Sequence, residues 1–483
     1  MIGGERNQHL RANQEYKMKA APVTTSHREA RQSEGRSLRS KCPRSSHSEM
    51  GPRPSGCDPL SLIEKSSDGR VKHLLPIRFT RMVESPFAFF RGTAIVQADD
   101  LKNTPSSGIV VQSCGDCHLA NFGVFASPER TLIFDINDFD ETLPAPFEWD
   151  VKRLASSFVL ASRWRKFGKK EGYLTSGAVV KAYREQMATL AGMRTLDRWY
   201  AHVAVGDLIE QFSSDPELRK TFVRAVETAQ KHTSETGFHR MTRDVSGRPQ
   251  IMDRPPLIYH VDPSKLDWKR DVVPFFEAYR ANLPLERQVL FDRFQLVDAV
   301  FKVVGVGSVG TQCFVTLWMA DVDDPLFLQV KQALPSVLDG VAESSVYENN
   351  GERVVVGQRI MQSASDIFLG WARSSHGTDF YVRQLRDQKF SFDLATASEG
   401  ILLGYATLCG QTLARAHAKS GKSPEISGYL GSGSNFDDAI TDYAAAYANQ
   451  VEKDYDAFHA AVGAGRFPTE TPSSEVTETV SRT

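Results

Sequence analysis

Apolar residues recur along this chain with two different periods, which predicts both strands and helices. Short apolar or alternating runs bounded by polar residues predict strands at 108–112, 131–134, before Gly305, and at 312–319, 326–331, 368–372 and 380–385. Helical spacing predicts helices within 72–101, from Glu148 or Asp150 onwards, and at 173–196, 199–212, 217–231, 351–364, 400–418 and 437–462. The pattern therefore predicts an α+β protein.

The same pattern suggests where ordered structure begins and ends. Residues 1–57 are rich in Arg and Ser and poor in large apolar side chains, so we expect a disordered basic tail. We expect a large helical lobe over 58–295, a small β lobe over 296–390 and completing helices over 391–462. A polar tail then follows at 463–483. Residues 233–271 are rich in Pro and charge and predict a long loop or insertion.

Composition narrows the class of protein without identifying it. The 483 residues are 41% hydrophobic and 24% charged, which is ordinary for a globular protein. A net charge of -1 gives no reason to expect nucleic acid or an anionic membrane as a partner. No apolar run approaches the roughly 20 residues of a membrane helix. Six irregularly spaced cysteines are typical of reduced thiols, so a cytoplasmic protein is expected.

Candidate chemistry concentrates between residues 110 and 140. Gly115-Asp116 follows one predicted strand, Asn121 comes five residues after Asp116, and a second predicted strand leads to Asp135. Oxygen ligands of this kind suit Mg²⁺, and another carboxylate nearby can accept a proton from a hydroxyl. The Asp138-Phe139-Asp140 triplet is an alternative metal motif. We favour Asp135 because it directly ends the apolar run, with Asp138 as a second ligand.

A glycine-rich segment stands between two later predicted strands. Gly305, Gly307 and Gly310 form a GxGxxG pattern that includes Ser308. Two predicted strands follow it, and the second ends in Lys331. A dinucleotide-binding fingerprint would need a helix directly after the last glycine, but β-forming residues follow it. The segment fits a glycine-rich hairpin better, in which backbone amides cover phosphate groups and a downstream lysine neutralises their charge. The glycines alone could equally serve only a tight turn.

These segments carry a resemblance to a known family. The stretch GDCHLAN followed by IFD resembles the catalytic and metal-binding loops of the aminoglycoside-phosphotransferase branch of the protein-kinase-like fold. The resemblance implies that Asp116 is the catalytic base, that Asn121 and Asp135 hold Mg²⁺, and that Lys331 binds ATP phosphates. Glu352 would orient the lysine, with Glu343 and Glu348 as alternatives. Cys114 stands where that family usually has His.

The kinase-like parts occur in a changed order along the chain. The catalytic loops come first, the glycine loop and lysine later, and the helix that should precede the catalytic loop comes last. This order implies a circularly permuted, two-lobed kinase-like fold. The chain from about 58 to 462 also resembles an uncharacterised family, domain of unknown function 2252, through stretches such as SPFAFFRG, GDCHLANFG and VGVGSVGT.

The resulting hypothesis is an ATP- and Mg²⁺-dependent phosphotransferase acting on a hydroxyl of a small molecule, with nucleotidyl transfer left open. Two alternatives remain: a metal-dependent hydrolase using Asp116, His118, Asp135 and Asp138, and an inactive nucleotide-binding scaffold. A CxxCH pattern at 114–118 formally matches haem attachment, but we expect both cysteines only to fill a tight turn. Arg78, Arg81 and Arg91 could meet phosphates, although structural roles are expected.

Overall fold

We analysed a computed structural model of the full chain. It describes residues 27–53, 58–212, 215–231, 234–262, 268–342, 344–385 and 390–470. The chain is a mixture of helices and small antiparallel sheets, which confirms the predicted α+β class. No helix among these residues has the length and apolar character needed to cross a bilayer.

Seventeen α-helices lie in the described residues. In the first half of the chain they are α1 His27–Ser37, α2 Pro59–Lys65, α3 Leu75–Val83, α4 Pro86–Gly92, α5 Ala94–Leu101, α6 Phe147–Trp164, α7 Lys169–Gly192, α8 Thr195–Tyr200, α9 Val205–Gln211, α10 Pro216–Gln230 and α11 Ser234–Met241. The later ones are α12 Val273–Ala281, α13 Leu285–Phe291, α14 Asn350–Met361, α15 Glu399–His417, α16 Ser423–Leu430 and α17 Asn435–Gly463.

The strands form four antiparallel sheets within the same residues. They are β1 Val110–Ser113, β2 Phe122–Ala126, β3 Leu132–Ile136, β4 Leu143–Pro146, β5 Thr242–Val245, β6 Arg248–Ile251, β7 Ile258–Tyr259, β8 Gln295–Lys302, β9 Cys313–Asp321, β10 Asp324–Gln332, β11 Gly370–Arg373, β12 Asp379–Gln384 and β13 Phe390–Ser391. The largest sheet has the order β11-β12-β10-β9-β8-β7. The smaller sheets are β1-β4, β13-β2-β3 and β5-β6.

Local sequence signals explain several helix starts. Ser85 caps α4 by accepting a hydrogen bond from the Ala88 amide at 3.1 Å, and Pro86 follows at the first helical position. Asn349 caps α14 by accepting from the amides of Gly351 and Glu352. The predicted helix and turn over 72–101 are therefore three short helices, the first two of which are separated by the cap at Ser85.

Two faces of the large sheet are covered differently. On one face, Phe276 and Tyr279 of α12 and Phe291 of α13 pack with Trp318 and Leu328. On the other face, a smaller cluster contains Ile251, Val300, Leu317 and Phe327. The β region therefore starts before the expected boundary at 296, because β7 pairs with β8 and α12 and α13 cover the sheet. The expected loop at 233–271 contains α11 and the β5–β6 hairpin.

The segment 27–53 corrects the expectation of a disordered tail over 1–57. Gly35 of α1 packs so closely on α16 that an added Cβ would lie 2.0 Å from the Glu425 carbonyl oxygen. Arg53 forms bidentate ion pairs with Asp100 and Asp454. Polar contacts with the helical body order this segment, and composition does not reveal them. Residues 1–26 and 54–57 lie outside the described residues.

The C-terminal end also extends further than expected. The predicted tail over 463–483 is described as far as residue 470, and Phe467 is 2% exposed. Its ring packs against Phe79 and Phe458 at centroid distances of 5.1 Å each. Residues 471–483 lie outside the described residues.

Candidate active site

Two short antiparallel pairs bring the acidic residues to one place. In the β2–β3 hairpin, Phe122 pairs with Ile136, so Asn121 and Asn137 lie together and the Asn137 amide donates to the Asn121 carbonyl at 2.7 Å. In the β1–β4 pair, Ser113 is opposite Leu143. Residues just after β1 therefore meet residues just before β4. The two ladders place the turn at 114–121 against the loop at 137–142.

This junction forms one wall of a cleft of about 110 Å³, several times the space that one water molecule needs. The opposite wall comes from the loop between β8 and β9, and helices near the N-terminus close one end. Charged and polar residues dominate the lining: Ser66, Arg70, Arg78, Arg91, Asp116, His118, Asn121, Asp138, Asp140, Glu141, Ser308, Thr311 and Gln332.

Asp116, the predicted catalytic base, lies in the cleft and is bound to a cation. The Arg153 guanidinium of α6 is 2.5 Å from its Oδ1 atom. Burial raises the pKa of Asp116, and Arg153 opposes that increase. The Asn121 carboxamide donates to the Asp116 carbonyl at 2.7 Å and fixes the turn between them. A carboxylate with a raised pKa at a cleft wall can accept or hold a proton.

Asp138 faces the same cleft with a different set of neighbours. Its Oδ1 atom accepts from the Asp140 amide at 3.2 Å. No lysine or arginine in the described part of the chain lies within ion-pair distance of its carboxylate. Asn121 lines the same cleft. Carboxylate and amide oxygens, open on the cleft side, are ligands that suit Mg²⁺.

Lys331 reaches the acidic loop from the large sheet. Its amine donates to Asp140 Oδ2, and Tyr381, its cross-strand neighbour on β12, donates to Asp140 Oδ1 at 2.8 Å. Burial opposes charge on the lysine, but Asp140 outweighs it and raises the pKa of Lys331. Burial likewise opposes charge on Asp140, but Lys331 lowers the pKa of this carboxyl. The later lysine therefore contacts the early acidic segment at Asp140, and not at Asp135, the preferred metal ligand.

The glycine loop lies above this ion pair. Gly305 and Gly310 have φ angles of 67° and 89°, which favour glycine. The Ser308 hydroxyl lies 3.3 Å from Asp140 Oδ2. In the described structure the amides from Gly305 to Ser308 donate to no protein acceptor. Gly305, Gly307 and Ser308 line the cleft, whereas Gly310 lies behind it against Arg70.

Asp135 corrects the preferred metal assignment. β3 continues to Ile136, and the Asp135 side chain is fully buried away from the cleft lining. Arg415 of α15 binds its Oδ1 atom, and the amide and hydroxyl of Ser363 donate to Oδ2 at 2.8 and 2.7 Å. These partners saturate the carboxylate, so it supports the packing of β3 against α15.

The partner of Lys331 also differs from the expected Glu352. Glu352 lies in the first turn of α14, but the carboxylate at Lys331 belongs to Asp140. The next residue, Arg353, links α14 to the acidic loop by donating to the carbonyls of Asp140 and Thr142 at 2.8 and 2.7 Å. Of the alternatives, Glu348 precedes α14, and Glu343 lies outside the described residues.

Buried groups behind the cleft support the turn at 114–116. Asp150 of α6 accepts from the amides of Cys114 and Gly115 at 2.7 and 3.0 Å, and its Oδ2 atom lies 3.1 Å from His417 Nε2. Asp150 therefore has a structural role, because it fixes the turn from behind. Cys114 and Cys117 are free and buried, as expected of residues that fill a tight turn.

Sequence reasoning missed three residues of this site: Arg153, Asp140 as the lysine's partner, and Tyr381. Arg153 sits three positions after Asp150 on the predicted helix, which is the only sequence signal that it shares a helix face with that residue. The Lys331–Tyr381 pairing depends on strand register. Among the described residues, no group of three or more His, Cys, Asp or Glu side chains is arranged to hold a metal ion by itself.

Comparison with known proteins gives one match. The sequence model of a family described as "Uncharacterized protein conserved in bacteria (DUF2252)" matches residues 70–461, well over half of the chain. No curated protein and no solved structure matches the chain.

Proposed function

The chain belongs to the DUF2252 family, and we propose that it is a phosphotransferase that uses ATP and Mg²⁺ to modify a hydroxyl of a small molecule. The main support is the contact between Lys331 of the sheet and Asp140 of the acidic loop, directly under a glycine loop with free amides. A cation and several backbone donors converge there on one cleft. Such donors are the usual protein partners of phosphate groups.

In this proposal the glycine loop and Lys331 bind the nucleotide phosphates. Free amides from Gly305 to Ser308 donate to phosphate oxygens, and the Ser308 hydroxyl adds a side-chain donor. The Lys331 amine donates to a phosphate oxygen in place of part of its contact with Asp140, because the Asp140 carboxylate and the phosphate are both anionic acceptors. Tyr381 holds Asp140 in place during that exchange.

Asp116 orients the acceptor hydroxyl and accepts its proton as the hydroxyl oxygen forms a bond to the terminal phosphorus of ATP. The bond between that phosphorus and the bridging oxygen breaks, and ADP leaves. Arg153 and Asn121 fix its position, and its second carboxylate oxygen stays available on the cleft side. A carboxylate in this role need only sit within hydrogen-bond reach of the hydroxyl.

Asp138 and Asn121 would hold Mg²⁺, with water and phosphate oxygens as its other ligands. This assignment replaces Asp135, whose carboxylate is saturated by Arg415 and Ser363. A set of two protein ligands suits Mg²⁺, which is commonly held by one or two carboxylates and substrate phosphates. When bound, the ion spreads the negative charge of the transferred group.

A permuted kinase-like fold also forms part of the proposal. Helix α15, which resembles the helix before the catalytic loop in kinase-like order, leads to Ser420, whose hydroxyl accepts from the Gln112 amide at 2.9 Å. Gln112 belongs to β1, which leads to the catalytic turn. The residues that follow α15 thus contact the strand that a kinase-like order would place directly after this helix, which supports the permuted order.

Calorimetry of the full chain with ATP, with and without Mg²⁺, tests the proposal together with Lys331→Met. We expect Mg²⁺-dependent ATP binding by the wild type and a loss of about 10-fold or more in affinity for the variant, because a charged hydrogen-bond donor is removed. No heat with ATP under either condition would overturn the proposal. ATP binding without any turnover would favour the inactive scaffold instead.

The hydrolase alternative receives less support. His118 Nε2 lies 3.9 Å from Asp116 Oδ2, and burial lowers the pKa of His118 well below its usual value. Asp135, a required member of that site, is held by Arg415 away from the cleft lining. The hydrolase would also leave Lys331 and the glycine loop without a role.

A further inference from the structure

The N-terminal part of the chain places Arg70, Arg78 and Arg91 in the cleft lining, and Arg81 contacts the glycine loop beside it. Three of these four arginines have protein partners. Arg70 Nη1 donates to the carbonyls of Gly307 and Val309, both at 2.7 Å, and Arg81 donates to the Gly305 carbonyl. Arg78 donates to the hydroxyls of Ser66 and Ser67 and to the Gly92 carbonyl at 3.1 Å. These three brace the glycine loop and the helices beneath it.

Arg91, the fourth, has no such partner. In the described structure its guanidinium makes neither a hydrogen bond nor an ion pair, and its Nε atom is shielded from solvent and unsatisfied. The side chain lines the cleft, with its Cζ atom 5.9 Å from the centre of the Phe87 ring. A shielded donor without a partner costs free energy, and a ligand in the cleft would supply the missing partner.

The position of Arg91 identifies the kind of ligand. Its carbonyl oxygen lies directly beneath the glycine loop, because a Cβ added to Gly307 would come within 3.0 Å of it. Its charge interacts with the carboxylates of Asp116 and Asp138 without reaching ion-pair distance. A ligand in the intervening space therefore meets a glycine loop, a guanidinium and two carboxylates together.

We propose that Arg91 binds the oxygens of the phosphate group that is transferred in this cleft, which rests on the phosphotransferase function proposed above. A planar guanidinium offers two parallel donors that match a phosphate, and it remains charged in a partly desolvated site. Lys331 and Arg91 then hold the phosphates from two sides. The neighbouring carboxylates repel an unaccompanied anion, so a metal-bound phosphate is the favoured ligand.

Binding of two anions to variants of the full chain tests this role. Calorimetry with ATP and with inorganic tripolyphosphate, each with Mg²⁺, is measured for the wild type, Arg91→Met, Arg91→Lys and Arg224→Met. Arg224 is exposed on α10 and serves as the matched control. We expect Arg91→Met to weaken both anions about 10- to 100-fold, Arg91→Lys to weaken them less, and Arg224→Met to leave them unchanged. The melting temperature of Arg91→Met should stay at or above that of the wild type.

The outcomes separate this proposal from the proposed function. Wild-type affinity of Arg91→Met for both anions would overturn the role of Arg91, and loss of ATP binding by Lys331→Met would leave the phosphotransferase standing. Arg91-dependent binding of tripolyphosphate without binding of ATP would support the anion site and overturn the phosphotransferase. A wild type that binds neither anion would overturn both.

A second measurement needs no variant and covers a failure of Arg91→Met to fold. Phenylglyoxal modifies arginine side chains, and peptide mass spectrometry reports the modification of Arg91 in the wild-type chain. We expect tripolyphosphate with Mg²⁺ to slow modification at Arg91 and to leave Arg224 unaffected. Equal modification of Arg91 with and without the anion would overturn the proposal.

Discussion

Asp135 and Asp138 are three residues apart, yet their carboxylates differ in burial and in the protein partners that they have. Asp135 is fully buried and accepts from Arg415, from Ser363 and from the Ile136 amide at 2.8 Å. Asp138 lines the cleft, and its carboxylate has no ion-pair partner among the described residues. The charge of Asp135 is neutralised inside the protein, whereas the carboxylate of Asp138 is available to a ligand.

The difference teaches that the end of a strand does not by itself make a ligand site. Both aspartates follow the same apolar run, but β3 extends one residue beyond Asp135 and turns its side chain toward α15. A carboxylate with all its acceptor positions filled cannot take a metal without breaking those bonds. The free positions at Asp138 are what make it the better candidate.

The largest expected effect is a loss of stability in Asp135→Ala. Removal of this carboxylate leaves Arg415 buried and unpaired, which typically costs about 3–5 kcal/mol of stability. Chemical denaturation measures the loss. The double variant Asp135→Leu/Arg415→Met should recover part of it, since it removes both charges. A stable Asp135→Ala protein that has lost only ATP turnover would restore Asp135 as a metal ligand and remove the contrast.

Asp138→Asn should have the opposite profile. It keeps the shape of the side chain at a position without an ion pair, so the free energy of unfolding should change by less than about 0.5 kcal/mol. Mg²⁺-dependent ATP turnover should fall on the order of 100-fold, which corresponds to about 2.7 kcal/mol of transition-state stabilisation. Turnover equal to that of the wild type, measured at saturating Mg²⁺, would contradict the assignment.

Glu141→Gln should change stability by an amount that depends on pH. Burial raises the pKa of Glu141 to about 7 from its usual value near 4.5. The folded state therefore holds a proton that the unfolded state loses between these values, and stability falls as pH rises from about 4.5 to about 7. Glutamine is neutral throughout, so the variant should avoid that decline.

Denaturation of Glu141→Gln and wild type at several pH values measures this difference. The two proteins should have similar stability near pH 4, and the variant should be more stable by about 1–3 kcal/mol at pH 8. Glutamine can still accept the hydrogen bond that the Val337 amide donates to Glu141 at 2.7 Å. A constant difference at every pH would mean that Glu141 keeps an ordinary pKa in the cleft.

Strong periodicity allowed much of the fold to be predicted. The strands β8, β9 and β10 and the helices α14, α15 and α17 lie close to the expected ranges, because long amphipathic or alternating runs report their own secondary structure. The segment 27–53 was missed because arginine contacts such as Arg39 to the Tyr429 carbonyl at 2.9 Å order it. Such contacts leave no period in the sequence.

Part of the candidate site could also be predicted from the sequence. Asp116, Asn121, Asp138 and the loop at 305–310 could be selected because carboxylates, amides and glycines carry recognisable chemistry at short spacing. The partner of Lys331 could not be selected. Asp140 reaches it across 191 positions of sequence, through a strand register that no local pattern encodes.

The sequence by itself determined the α+β class, the positions of the long helices and strands, and the set of polar residues from which a site could be built. Tertiary structure alone decided which carboxylates are neutralised by protein partners and which face the cleft. The physical reason is that hydrophobic periodicity is local, whereas ion pairing and burial depend on groups brought together from distant segments.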